Sequence, residues 1–410
     1  FLLEHKDGIY SQKWLYPFKL PTKGSVSQVL AFNLDDDASQ EIVVVTEHGV
    51  SVINGLDSIA TVLFTTDYFI SNAAIADVNQ DGTPELAYLY NNSGSPYSNS
   101  NTLSVIDMAA PENVLFTTTV DDAREIIFDN VDNDAAIELI INNGLVYDGV
   151  TWLNEWASGT KFGDSTFTAG DYNGDGIAEI AGVNAWGNIA VYSALTKSQL
   201  DSFEHLDTCT FFSANVDEDS ADELLVGDCQ WGNISAYDFV SNKLTLQWQV
   251  DMQDHGSASV VTGDSDNDGQ LEVHWGTGQG HSGQDSFVVA DLTIETVDNI
   301  DVNSAVVKNT LLTTQLDSYS SAGWASIDGV NDRAVFFIPM TKSGSGGSRL
   351  VMMDNQGDYQ LSDEISLNWE NSKYAVTTDY NNDGFGDIFL PTANLYDGGL
   401  SAMQLFDHAI

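Results

Sequence analysis

The sequence predicts an all-β, eight-bladed β-propeller of four-stranded antiparallel blades, and three observations point to it. An acidic motif recurs at the period of a propeller blade. Each copy lies between short apolar runs of period two. No helical periodicity interrupts them.

The motif reads Asp/Asn-x-Asp/Asn-x-Asp-x-x-x-Glu/Asp. Its copies are NLDDDASQEI (33–41 and the apolar residue after), DVNQDGTPEL (77–85), NVDNDAAIEL (130–138), DYNGDGIAEI (171–179), NVDEDSADEL (215–223), DSDNDGQLEV (264–272) and DYNNDGFGDI (379–387). The ninth positions are Glu41, Glu85, Glu138, Glu179, Glu223, Glu272 and Asp387, spaced by 44, 53, 41, 44, 49 and 115 residues. The last interval is two periods long, and WASIDGVNDRAVFFIP supplies a degenerate eighth copy at 328–334, which keeps Asp328 and Asp332 but lacks the ninth-position acid.

Apolar runs such as EIVVVT and ELLVGD follow the loops. A Gly/Asn turn then leads to alternating segments such as GVSVIN and GNIAVYSA, and a further strand completes the unit. Four strands in about 50 residues make one blade, so residues 1–410 are read as a single propeller domain. The last repeat has three strands, whereas YSQKWLYPFKL precedes the first loop as an orphan. The expectation is that this strand, about Tyr10 to Leu20, completes the last blade and closes the ring.

Charge narrows function. The chain carries 61 Asp and Glu against 13 Lys and Arg, a net charge of −48, which repels nucleic acid and anionic membranes and attracts cations. No apolar run reaches the ~20 residues that span a bilayer, so membrane insertion is not expected. The opening Phe-Leu-Leu meets Glu4 and His5 at once; it is read as no signal peptide, and the chain as starting after a processing point.

Side chains at positions 1, 3 and 5 of a tight loop converge their oxygens, and a carboxylate at position 9 can complete a flexible oxygen shell, which suits Ca²⁺ better than Mg²⁺. Gly82, Gly176, Gly269 and Gly384 at position 6 supply a left-handed bend. Metal-free acidic hairpin turns are the alternative, weightier for the copies without this glycine.

These units resemble the FG-GAP/VCBS repeats of integrin α-subunit propellers and bacterial secreted and surface proteins, although the FG…GAP half of the motif is absent. The resemblance implies that each loop joins the first and second strands of a blade and holds structural Ca²⁺. By position, the implied ligands are Asp77, Asn79, Asp81 and Glu85; Asp171, Asn173, Asp175 and Glu179; Asp264, Asp266, Asp268 and Glu272; and Asp379, Asn381, Asp383 and Asp387. Weaker sites would use Asn33, Asp35, Asp37 and Glu41; Asn130, Asp132, Asp134 and Glu138; and Asn215, Asp217, Asp219 and Glu223. The loops with both Asp first and Gly sixth are expected to fill first, and the degenerate loop to stay empty.

Cys209 and Cys229 flank the fifth loop. If Ala214 faces Leu224, the antiparallel register also sets the two cysteines opposite each other, an arrangement open to a disulfide; two buried thiols are the alternative. A disulfide and calcium loops both point to a secreted or cell-surface protein. Trp186, Trp231 and Trp275 fall near the turns opposite the acidic loops, where they could stack on sugar rings or fill wedges between blades. The expected function is a binding or adhesion module for a glycan or protein at the cell surface. Self-assembly into an extracellular filament or matrix is the second reading. Catalysis is not expected: His255, His274 and His281 share a repeat without a compact zinc spacing, and calcium spacing accounts for the paired carboxylates. Some eight-bladed calcium propellers are polysaccharide lyases, and that resemblance of fold keeps an enzyme as a third reading.

Overall fold

The structure is a computed structural model. It describes residues 22–250 except 25, 36, 38, 55–58, 96–97, 165, 185–186, 206–207, 218 and 229–232, and outside that span the strands named below with residues 269–271.

Every described element is a strand or a turn. Seven four-stranded antiparallel sheets and one three-stranded sheet follow in chain order, each meandering strand by strand, so the blade count read from the repeats holds. Chain contacts divide the residues into two compact units, 1–161 with 370–410, and 162–369.

The first unit contains three complete blades. They are Val26–Phe32, Glu41–Thr46, Gly49–Ile53 and Ala60–Thr65; Phe69–Ala76, Glu85–Asn91, Ser100–Asp107 and Val114–Asp121; and Ile126–Asp129, Glu138–Ile141, Leu145–Tyr147 and Asn154–Ala157. The eighth sheet, Val376–Thr378, Asp387–Asn394 and Leu400–Phe406, also belongs to this unit and lies against the first strand of the first blade. The second unit holds the fourth to seventh blades: Phe167–Gly170, Glu179–Asn184, Asn188–Ser193 and Ser198–Glu204; Thr208–Ala214, Glu223–Asp228, Ile234–Phe239 and Leu244–Val250; Ser257–Gly263, Glu272–Thr277, Ser286–Val297 and Ile300–Leu312; and Trp324–Asp328, Arg333–Phe337, Val351–Met353 and Tyr359–Leu361.

Burial explains the strand order. Second strands such as Glu41–Thr46 and Glu223–Asp228 are buried along their whole length, as their continuous apolar runs require when both faces pack. Fourth strands such as Ala60–Thr65 and Ser198–Glu204 are half-buried to exposed, with no buried residue. Side chains on the first strands stitch blade to blade: Ala73 N–H donates to Gln28 Oε1 at 2.9 Å, and Ile126 N–H to Asn72 Oδ1 at 3.0 Å.

Two expectations are corrected. Ile9–Gln12 pairs with Leu3–Lys6, with Tyr10 opposite His5, and the last sheet has three strands among the described residues. The physical reason is visible in the sequence: Lys6 and Ile9 flank Asp7-Gly8, a favoured two-residue hairpin dipeptide. Residues 13–21 of the expected closing strand lie outside the described residues. In the fifth blade Ala214 faces Glu223, not Leu224, and the register shifts between Thr208 and Thr210. A bulge at Cys209 therefore removes the cross-strand opposition on which the disulfide was argued; Cys229 lies outside the described residues.

Candidate metal centres in the acidic loops

The acidic loops join the first and second strands of their blades, and Glu41, Glu85, Glu138, Glu179, Glu223, Glu272 and Asp387 each open a second strand. Because that strand is interior, the ninth-position carboxyl is carried into the protein: the six glutamates are all at most 3% exposed. Asp264, Asp266, Asp268, Asp379, Asn381 and Asp383 lie outside the described residues. At the degenerate copy Asp328 is directly opposite Arg333, and residues 329–332 lie outside the described residues.

In the first, second, third and fifth blades one oxygen of this glutamate accepts the backbone N–H of position 2: Leu34 to Glu41 at 2.8 Å, Val78 to Glu85 at 3.1 Å, Val131 to Glu138 at 2.8 Å and Val216 to Glu223 at 2.7 Å. The other oxygen is the telling one. Glu138 Oε1, Glu223 Oε1 and, in the fourth blade, Glu179 Oε2 are buried and make no hydrogen bond among the described residues. A buried carboxylate oxygen without a partner is costly.

Two loop designs surround these glutamates. In the second and fourth blades position 1 is Asp, and both its oxygens take backbone N–H groups. Asp77 accepts from Asp81 at 3.1 Å and Gly82 at 2.9 Å, and Asp171 from Asp175 at 3.0 Å and Gly176 at 2.8 Å. Gly82 and Gly176 have φ of 89° and 86°, the left-handed geometry that glycine adopts without strain. Asn79 and Asn173 each donate Nδ2 to the ninth-position glutamate, at 3.2 and 2.6 Å.

In the first, third and fifth blades position 1 is Asn, and it donates instead: Asn33, Asn130 and Asn215 reach the carbonyl oxygens of Asp37, Asp134 and Asp219 at 2.8, 3.4 and 2.6 Å. Here carboxylates gather. Oxygens of Asp35, Asp37 and Glu41 lie within 4.8 Å of one another, as do those of Asp217, Asp219 and Glu223. In the third blade the trio is Asp132, Asp134 and Glu155, the last from the outer strand. Oxygens bound to one Ca²⁺ at about 2.3–2.6 Å are separated by such distances, so the donors fit a hard cation. Glu155 was not foreseen: it stands 17 residues beyond Glu138 in an ordinary strand, and only the fold of the blade brings it there.

Electrostatics agree. Burial pushes the carboxyls of Glu85 and Glu179 up from 4.5 to about 7, with Asp81, Asp77, Asp175 and Asp171 adding repulsion. Burial likewise raises Glu138 and Glu223 to about 8, reinforced by Asp132 and Asp134 in one loop and Asp217 and Asp219 in the other. Glu155 is raised by burial and by Asp132.

Neighbouring loops are also linked. Ile137 N–H donates to the Val78 carbonyl at 3.2 Å, and Gln80 Nε2 to that of Ala135 at 2.9 Å. Asp222 and Asp171 exchange two backbone-donated bonds of 2.8 and 3.0 Å.

Of the two readings of the tryptophans, wedge-filling holds for Trp275 and sugar-stacking does not. Trp275 lies on Glu272–Thr277 and is 0% exposed, packed with Trp248, Val260 and Leu225 in the core. Its place on an interior strand, not in a turn, makes it a wedge filler. Trp186 and Trp231 lie outside the described residues. His274 is equally buried, its Nε2 2.9 Å from the Gly263 carbonyl oxygen, and burial lowers its pKa to about 4; His255 and His281 lie outside the described residues.

No family model matches the chain, and no curated protein matches its sequence significantly. Solved structures do resemble it. The Dos1 propeller superposes with a TM-score of 0.53 at 11% identity, covering 95% of both chains. The dihydro-heme d1 dehydrogenase NirN, solved with DHE, gives 0.52 at 10% identity, covering 79% of this chain and 64% of its own. BBS1N in complex with ARL6DN gives 0.47 at 10% identity over 95% and 96%, too distant to bear on function. With the observed sheets, the likeness establishes that the chain has the β-propeller fold.

Proposed function

We propose that this propeller is a calcium-stabilised binding module that works outside the cytoplasm. The observation that carries the calcium reading is the buried, unpartnered oxygen of Glu138, Glu179 and Glu223 beside loop aspartates. Burial and the neighbouring aspartates all raise these glutamate carboxyls. A calcium ion would supply the missing positive charge. Glu138 and Glu223 would each hold it with one oxygen and the position-2 N–H with the other, and Glu179 would hold it with one oxygen while the other accepts from Asn173 Nδ2, tying the interior strand to its hairpin. Asp132, Asp134, Asp217 and Asp219 would complete the oxygen shell. The role proposed for the sites is stability, because the ninth-position glutamates that anchor them are buried. The proposed extracellular location is supported by the same reading, because hard-oxygen sites on loops fill readily where calcium is about millimolar. Binding is the role a rigid propeller supports best, with loops presented at the blade ends. Calorimetric titration of the chelated protein tests the reading: calcium should bind at several sites, and magnesium should compete poorly. Absence of calcium binding would remove it.

A further inference from the structure

At the end of the second blade away from its acidic loop, residues at the strand ends, Tyr68, Asn91, Ser100 and Thr119 among them, line a cleft of ≈ 590 Å³. That volume falls within the roughly 300–1,000 Å³ of small-molecule sites. Its lining is unusual for a chain of net charge −48. Tyr68, Tyr90, Asn92, Ser98, Thr102 and Thr119 contribute, and none of the described lining residues carries a charge.

Part of the wall is tied together by buried amides, Asn91 and Asn101, 5% and 1% exposed. Asn91 Nδ2 donates to Asn101 Oδ1 at 2.9 Å and to the Ser95 carbonyl at 3.0 Å, and Asn91 Oδ1 accepts from the N–H and hydroxyl of Ser93. Asn101 Nδ2 reaches the Ala123 carbonyl at 2.5 Å. On the facing side, Tyr68 is 45% exposed. Its ring leans on Tyr90 at 5.2 Å, Tyr90 stacks on Tyr88 at 5.6 Å, and Tyr88 meets Phe64 at 5.0 Å. Its backbone is pinned by Thr66 Oγ1 at 3.1 Å and His48 Nδ1 at 3.0 Å. An aromatic face is thus held beside amides and hydroxyls. An anionic ligand finds no cation in this lining, and a cationic one no carboxylate. A polyhydroxylated neutral ring uses both features: its C–H face stacks and its hydroxyls find donors and acceptors.

We propose that this cleft binds a neutral carbohydrate, a terminal hexose or short oligosaccharide, with Tyr68 as the stacking platform and Asn92, Thr102 and Thr119 reading its hydroxyls. The site names a ligand class for the binding-module reading and does not depend on calcium in the loops. The test is saturation-transfer NMR and calorimetry with methyl glycosides of glucose, galactose, mannose and N-acetylglucosamine and with their β-1,4 disaccharides, choline serving as a cationic control. At least one saccharide should bind and choline should not. Tyr68→Ala should weaken binding roughly tenfold or more, Tyr68→Trp should retain it, and Asn92→Ala should weaken it a few-fold. Calcium-dependent melting should be unchanged in all three variants, which separates this site from the loops. No binding by any of these saccharides, full binding by Tyr68→Ala, or binding of choline in their place would each overturn the proposal.

Discussion

The Asp-first loops of the second and fourth blades and the Asn-first loops of the first, third and fifth reach the same ninth-position glutamate by different routes. In the former, Asp77 and Asp171 spend both oxygens on backbone N–H groups, glycine turns those groups inward, and Asn79 or Asn173 donates to the glutamate. Such a loop is largely satisfied by its own hydrogen bonds. In the latter, the first residue donates to a carbonyl and leaves three carboxylates facing one another. No residue of the third loop has positive φ. The difference teaches that equal motif spacing does not mean equal dependence on a cation. The Asn-first loops, ranked weaker on the charge of their first position, are the ones whose folded geometry most needs compensation.

Four measurements break or sharpen that contrast. The largest effect is expected from chelation: exhaustive EGTA treatment at pH 8 should lower the melting temperature by roughly 5 °C or more, since ligands that bind only the native state stabilise it by mass action. Calcium should restore it and magnesium should do so poorly. Hydrogen exchange should show the first, third and fifth loops opening first.

The next effect is on pH. Glu85 and Glu179 titrate in the folded chain at about 7, and Glu138 and Glu223 at about 8, against 4.5 for the unfolded chain. Between those limits the folded state binds more protons, so its stability is full below the unfolded value and is lost as pH rises through 7 to 8. Metal-free protein should therefore melt progressively lower from about pH 5 to pH 8, and calcium should flatten the curve.

Smaller still, Glu223→Gln keeps an acceptor for Val216 and deletes the buried charge. It should raise the metal-free melting temperature at pH 8 by about 2 °C while shrinking the calcium increment. Smallest of all, Asp175→Ala, in a loop whose first-position aspartate is fully hydrogen-bonded, loses one accepted bond, that from Ile177 at 3.0 Å. It should reduce the calcium increment by about 1 °C and leave the fifth loop protected.

The blades were legible because each repeat carries its own turn chemistry and its own interior run, so the seven acidic copies mark the first-to-second strand turns directly. What escaped the sequence depends on contacts between segments. Glu155 becomes a loop partner only when the outer strand Asn154–Ala157 folds back on its blade. Tyr68 becomes a platform only when four strand ends meet. Cys209 sits at a bulge, and a one-residue shift in register undoes any pairing argued from opposition. Trp275 looked like a turn residue because HWGTG reads as one, yet it belongs to an interior strand.

The most direct test of calcium in the loops is anomalous diffraction from crystals grown with calcium. Peaks are predicted beside Glu41, Glu138 and Glu223, with Glu155 among the ligands in the third blade, and further peaks at Glu85 and Glu179. Well-ordered loops with no anomalous peak near Glu138 or Glu223 would contradict the account.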